Sequence, residues 1–232
     1  WDRAIKGYAA AQNACWAKKA AHFFVDEEHC SIAVETGKTF KRVSLIEGVT
    51  VTRRKGSGYI TLKDQKLNKA KKPITYFTNL IVGDYHYFRT FDGFFIGRIN
   101  LKTDRVEYLQ VPVQVIRTLE SEDQVLWDKS IVNDMRNADG FKATQDKRNA
   151  GNGWGHVSSA PPIVAGDLIY FPSMVGMVYV LKWNALELSE TALVSVSDLG
   201  IAGETWSLSG LAYADGFLYA RTMKELICLG GD

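Results

Sequence analysis

From His22 onward the chain alternates short apolar runs with polar punctuation. HFFV, SIAVE, SLIEGVTVTRR, GYITLK, ITYFTNLIVG, YHYFRTF, FFIGRINL, VEYLQVPVQVIRTL, LIYFPSMV, MVYVLKW, FLYART and LICLG are β-branched, aromatic or aliphatic, and Gly, Asp and Asn separate them. Many short strands at close intervals, with turn residues between, predict an all-β protein. The stretch Arg3–Ala21 differs. It is rich in Ala and Lys, both good helix formers, and residues 1–21 read as a short helix or as part of an incomplete sheet. No other segment has the pattern of a long amphipathic helix.

The runs repeat. LIVGDYHYFRTFDGFFIGRINLKTDRVEYL (80–109), PIVAGDLIYFPSMVGMVYVLKW (162–183), LAYADGFLYARTMKELICLGG (211–231) and AHFFVDEEHCSIAVETGKTFKRV (21–43) each read as strand, turn, strand, turn, strand. Gly83-Asp84, Gly166-Asp167 and Asp215-Gly216 fall at the same turn, where such pairs supply the positive φ of a tight hairpin. Tyr87, Tyr170 and Tyr219 follow at one position, and Thr90, Ser173 and Thr222 three residues later. Thr90 to Ser173 is 83 residues, which reads as two units of about 42, and Ser173 to Thr222 is 49, one unit with a longer loop. A four-stranded sheet of this size cannot cover both its faces alone, so neighbouring copies must stack. The expectation is an all-β β-propeller of four-stranded antiparallel blades, about four of them over residues 22–232, with a long inter-blade loop at 127–159.

These residues resemble the PQQ-like, quinoprotein-type β-propeller repeat family. VAGDLIYFPSMVGMVYVL (164–181) and DYHYFRTFDGFFIGRINLKTDRV (84–106) carry the likeness best. SIAVETGK (31–38) supplies a Thr-Gly pair, and YADGFLYARTMKELICLG (213–230) is similar to a closing blade. The resemblance implies a propeller of seven or eight blades, of which this chain would be the C-terminal portion. It also implies a periplasmic or extracellular location. The family includes quinoprotein dehydrogenases, which hold PQQ over a calcium ion, and the propeller lipoprotein of the outer-membrane assembly machine. This chain lacks adjacent cysteines, a CxxCH haem site and a tryptophan repeated in every blade. No cofactor is therefore expected, and PQQ with Ca²⁺ belongs only to an oxidoreductase reading.

Composition narrows the classes. With 46% hydrophobic residues and a net charge of +2, the chain can bury a core and shows no overall bias toward nucleic acid. The charge is uneven, however. Between Lys38 and Lys72 stand eleven Lys or Arg against Glu47 and Asp64, a local balance of +9. That stretch would steer a polyanion or decorate a protected sheet edge. Cys15, Cys30 and Cys228 have no CxxC spacing, and the sequence leaves a Cys15–Cys30 pair open. No window approaches a membrane span. The opening WDRAIKGYAAAQ lacks a signal-peptide pattern and begins with Trp, as a processed or excised chain would.

The least repetitive segment, 127–159, holds the candidate chemistry. Asp134, Arg136, Asn137, Lys147, Arg148, Asn152, Trp154 and His156 form the candidate ligand-binding set. In one reading Trp154 is a platform for a carbohydrate, with Arg136 and Arg148 forking onto carboxylate or sulfate. In a second, His156 is a base oriented by Asp134 or Asp146. In a third, these side chains satisfy the loop's own backbone. Elsewhere, His29 with Glu27 and Glu28 makes a poor metal set, since neighbours on a strand point opposite ways. His86 reads as a face residue. Arg89 and Arg221 read as channel-lining or as partners of a neighbouring blade. The commitment is a non-catalytic binding or assembly scaffold taking a protein partner or a carbohydrate or polyanion. The alternative is a quinoprotein-type oxidoreductase or a carbohydrate-active enzyme.

Overall fold

The computed structural model describes residues 14–67, 78–90, 94–117, 122–143 and 160–230. Strands β1 (Cys15–Ala17), β2 (Ala20–Val25), β3 (Glu28–Ala33) and β4 (Thr39–Ser44) form the first antiparallel sheet, in chain order. The hairpin β5 (Val49–Lys55) and β6 (Gly58–Gln65) follows. The second sheet is the meander β7 (Asn79–Val82), β8 (Tyr85–Arg89), β9 (Phe95–Asn100) and β10 (Val106–Gln110). A small pair comes next, β11 (Gln114–Ile116) and β12 (Gln124–Leu126). The third four-stranded sheet is β13 (Ile163–Ala165), β14 (Leu168–Pro172), β15 (Met177–Lys182) and β16 (Leu193–Asp198). A three-stranded sheet closes the described chain, β17 (Ala212–Ala214), β18 (Phe217–Arg221) and β19 (Leu226–Leu229).

The chain is all-β and built of blade-like antiparallel sheets, as the repeats predict. The described sheets do not close a ring. Of residues 1–21, those from Cys15 to Ala17 and from Ala20 onward are strand rather than helix, and residues 1–13 lie outside the described residues. The turns follow the sequence signals. Gly83 (φ 57°) and Gly166 (φ 60°) each open a two-residue hairpin. At Gly83 a side chain is also barred by packing, because a Cβ there would stand 2.9 Å from the Trp183 ring of the third sheet.

Two features depart from expectation. Among the described residues, the 83-residue interval between Thr90 and Ser173 shows no further four-stranded sheet. It contains the rest of the second meander, the β11–β12 pair, irregular chain and the start of the third meander. The second and third meanders pack on each other. The second sheet is also widened to six strands. β5 lies parallel to β10, with Thr50, Val51 and Thr52 beside Glu107, Tyr108 and Leu109, and β6 forms the outer edge.

Three apolar layers lie between successive sheets. Phe24, Leu45, Val51, Phe88, Ile99 and Tyr108 join the first to the second. Tyr87, Ile96, Leu109, Phe171, Tyr179 and Leu181 join the second to the third, with Val113 and Val115 of the intervening chain. Val178, Val180, Leu211 and Ala220 join the third to the last. Strand β15 shows how: Met177, Tyr179 and Leu181 point one way, Val178 and Val180 the other, and all five are buried. A continuous apolar run is the mark of a strand covered on both faces.

One ion pair is sealed inside the second layer. Arg98 (0% exposed) donates through Nε to Glu107 (3% exposed) at 2.7 Å. Its remaining nitrogens donate to the Ala185 carbonyl at 2.7 Å, the Leu186 carbonyl at 3.1 Å and the Tyr87 hydroxyl at 3.2 Å. Glu107 in turn accepts the Leu188 backbone N–H at 3.3 Å. The pair therefore satisfies backbone of the third sheet's long β15–β16 connection. Glu107→Gln, which leaves the guanidinium charged and buried, should cost about 3–5 kcal/mol of stability in urea unfolding. Arg42→Gln, at the exposed Arg42–Glu28 pair, should cost less than about 1 kcal/mol.

Candidate functional site

The loop after β12 is ordered by its own polar groups as far as Ala143. Asn133 donates through Nδ2 to the Thr205 carbonyl at 2.5 Å and accepts the Met135 N–H at 2.8 Å. The Asp134 N–H donates to the Gly203 carbonyl at 2.7 Å. The loop is thus docked on the 201–206 connection. Of the candidate set, Asp134 accepts the Arg136 N–H at 3.0 Å and receives the Lys224 ammonium at 3.2 Å, which also meets Glu204 at 3.0 Å. Arg136 donates through its guanidinium to the Gly140 carbonyl at 2.5 Å. Asn137 accepts the Phe141 N–H at 2.9 Å. All three hold the turn from Asp134 to Phe141, so Arg136 is bent back onto its own loop. Lys147, Arg148, Asn152, Trp154 and His156 lie outside the described residues, as does Asp146. A cleft of about 300 Å³ beside the Lys224 network is lined by Arg221–Leu226.

A second polar cluster was not read from the sequence. It lies between the first and second sheets. Pairing across the β2–β3 hairpin sets Ser31 opposite His22 and His29 opposite Phe24, so both histidines face the second sheet. There His29 meets His86, Nε2 to Nδ1 at 3.1 Å. The other nitrogen of His86 bonds Asn79 Oδ1 at 3.1 Å, and the same oxygen accepts the Cys15 thiol at 2.8 Å. His22 stacks on His29, with 5.4 Å between ring centroids, and bonds the Ala17 carbonyl at 3.3 Å and Ser31 Oγ at 3.0 Å.

These partners dictate the protons. A carbonyl only accepts, so His22 carries hydrogen on Nε2 and takes one from Ser31 on Nδ1. Asn79 Oδ1 accepts from His86 Nε2, which leaves His86 Nδ1 to accept from His29 Nε2. All three rings are then neutral. Burial drives His86 well below its ordinary pKa, with His29 and His22 adding to it. Burial likewise brings His29 down to about 3, helped by His22 and Lys41. His22 is lowered by burial against the opposing pull of the Ala17 carbonyl. Burial also pushes the Cys15 thiol up. Cys15, Cys30 and Cys228 are free thiols.

What the cluster can do chemically follows from that. It has neutral rings bonded to one another, and its thiol is held protonated, so it offers neither an activated nucleophile nor an open base. Among the described residues no three His, Cys, Asp or Glu side chains are gathered to hold a metal ion, and the donor set does not fit a calcium-held quinone. Arg89, aligned with Arg221 in the repeat, is buried over the Tyr179 ring at 4.3 Å and donates to its hydroxyl at 3.0 Å, while Arg221 is exposed. Among the described residues no helix is long and apolar enough to cross a membrane.

No protein-family model matches the chain, and no curated protein is significantly similar to it. Among solved structures it is similar to the computationally designed Ika4 protein, at TM-score 0.47 and 9% identity over 98% of this chain and 95% of that one. It is similar to BamB from Moraxella catarrhalis at TM-score 0.29 and 10% identity, over 98% and 71% of the two chains. For Kluyveromyces lactis Hsv2 the values are 0.31 and 11%, over 88% and 56%. The architecture rests on the sheets and their packing.

The histidines make stability depend on pH in one direction. Their folded pKa values lie below the unfolded value of about 6.5, so unfolding takes up protons wherever the pH is under that value. The stability is complete above pH 6.5 and is lost on acidification toward the folded pKa of His29, about 3. Each ring that stays neutral in the folded protein and charges on unfolding adds about 1.4 kcal/mol per pH unit. Thermal unfolding followed from pH 8 to pH 5 should show a flat melting temperature down to about 6.5 and a fall below it. His29→Gln should make that fall shallower.

Proposed function

We propose that the chain is a binding scaffold of the PQQ-like propeller type, which takes a protein partner on the face bearing the 127–159 loop. Stacked sheets covered on both sides give a stiff body, and recognition residues on a stiff body bind with little ordering cost. The observation that carries the reading is the state of that loop. Its turn is closed by its own hydrogen bonds and docked on the 201–206 connection, yet it holds Phe141 and Val132 out to solvent at 71% and 58% exposure. Ile201, in the connection it docks on, is 70% exposed. Apolar side chains fixed outward on an ordered loop are suited to a protein surface rather than to a sugar. The remaining candidates, Lys147, Arg148, Asn152, Trp154 and His156, lie outside the described residues. A place in the periplasm or outside the cell is what the PQQ-like resemblance implies.

The test is affinity capture from the native source with the unaltered chain and with Val132→Asp/Phe141→Asp, both positions being exposed. Both proteins should show the same circular dichroism and melting temperature. Proteins retained by the unaltered chain should be reduced at least about tenfold on the variant, as follows when two central apolar contacts are lost. Equal recovery on both would overturn the reading.

A further inference from the structure

The parallel strands β5 and β10 part company after Thr52 and Leu109. β10 ends one residue later at Gln110, paired with Phe95, while β5 runs on as Arg53, Arg54 and Lys55. The Gln110 side chain spans the split, accepting the Arg54 backbone N–H at 3.0 Å. A cleft of about 430 Å³ opens there. Among the described residues it is lined by the cations Arg53, Arg54 and Lys55 and by the apolar Ile60, Phe94 and Phe95, with Gln110 between the strands.

Among the described residues no carboxylate forms an ion pair with Arg53, Arg54 or Lys55. Other members of the same basic run are neutralised: Lys41 by Asp104, Arg42 by Glu28 and Lys66 by Glu47. Arg53, Arg54 and Lys55 stand together at the split. One of the three cations is already set in place. Arg54 lies over the Trp127 ring at 4.6 Å and donates through Nε to the Gly56 carbonyl at 2.8 Å, so its orientation costs little on binding.

We propose that this cleft binds a compact organic oxyanion, at least doubly charged at neutral pH and bearing a flat apolar group, of the aryl phosphate class. Arg53 and Lys55 lie on one face of β5, two residues apart, and take the oxyanion. Arginine supplies a forked pair of donors and lysine a point charge. Phe95, half-buried and on the face of the sheet that carries Val51, Arg53 and Lys55, receives the ring. The volume fits one such molecule and falls within the range of small-ligand sites. The site is made by residues other than those of the proposed partner surface, and it does not depend on that reading.

Calorimetric titration of the full chain at low ionic strength tests it, with phenyl phosphate, inorganic phosphate and benzyl alcohol as probes. Phenyl phosphate should bind at least about tenfold more tightly than inorganic phosphate, benzyl alcohol should not bind, and added salt should weaken the interaction. Arg53→Gln/Lys55→Gln, at two exposed positions, should keep the melting temperature and lose phenyl phosphate binding about tenfold or more. Phe95→Leu should bring phenyl phosphate closer to inorganic phosphate. Equal affinity for the two phosphates would overturn the proposal, and so would phenyl phosphate binding that survives the double substitution in the folded variant.

Discussion

The central sheets of this protein are apolar on two faces, and that constraint arranges the rest. A sheet with one wet face alternates apolar and polar residues, whereas β15 buries five consecutive side chains. Such a strand cannot be left with a bare side, so the second and third sheets each take a neighbour in front and another behind. The three apolar layers are the result. Burial of Arg98 and Glu107 is a secondary effect of the same demand. The connection after β15 lies over the second sheet, where Arg98 donates to its carbonyls at 185 and 186.

This arrangement was legible where chemistry is local. The Gly-Asp turns, the tyrosines four residues after them and the unbroken apolar runs predicted hairpins and two-sided burial, and the sheets have both. The long loop was legible because it breaks the rhythm. The 83-residue interval carries less information, because a spacing counts residues and not strands. A polar insertion and a blade of equal length look alike when only the flanking motifs are aligned. The parallel seating of β5 on β10 had no signal at all, since nothing in VTVTRRK specifies which distant strand it will accompany.

The histidines fall between these cases. A two-residue turn at Asp26-Glu27 fixes the pairing of 22 with 31 and of 24 with 29. Arithmetic alone therefore places His22 and His29 on one face. Their meeting with His86 depends on how the first sheet settles on the second, which is a matter of packing between elements far apart in sequence. The acids near His29 in sequence lie along its own strand, whereas its partner His86 comes from across the layer.

The contact between Arg54 and Trp127 joins two parts of the molecule that the chain keeps well apart. Trp127 is the first residue of the long loop, and its ring lies beneath a guanidinium from the far edge of the widened sheet. Drawing that guanidinium outward uncovers the indole at the root of the loop. An event at the sheet's margin is in this way felt at the loop's anchorage, with no strand having to shift.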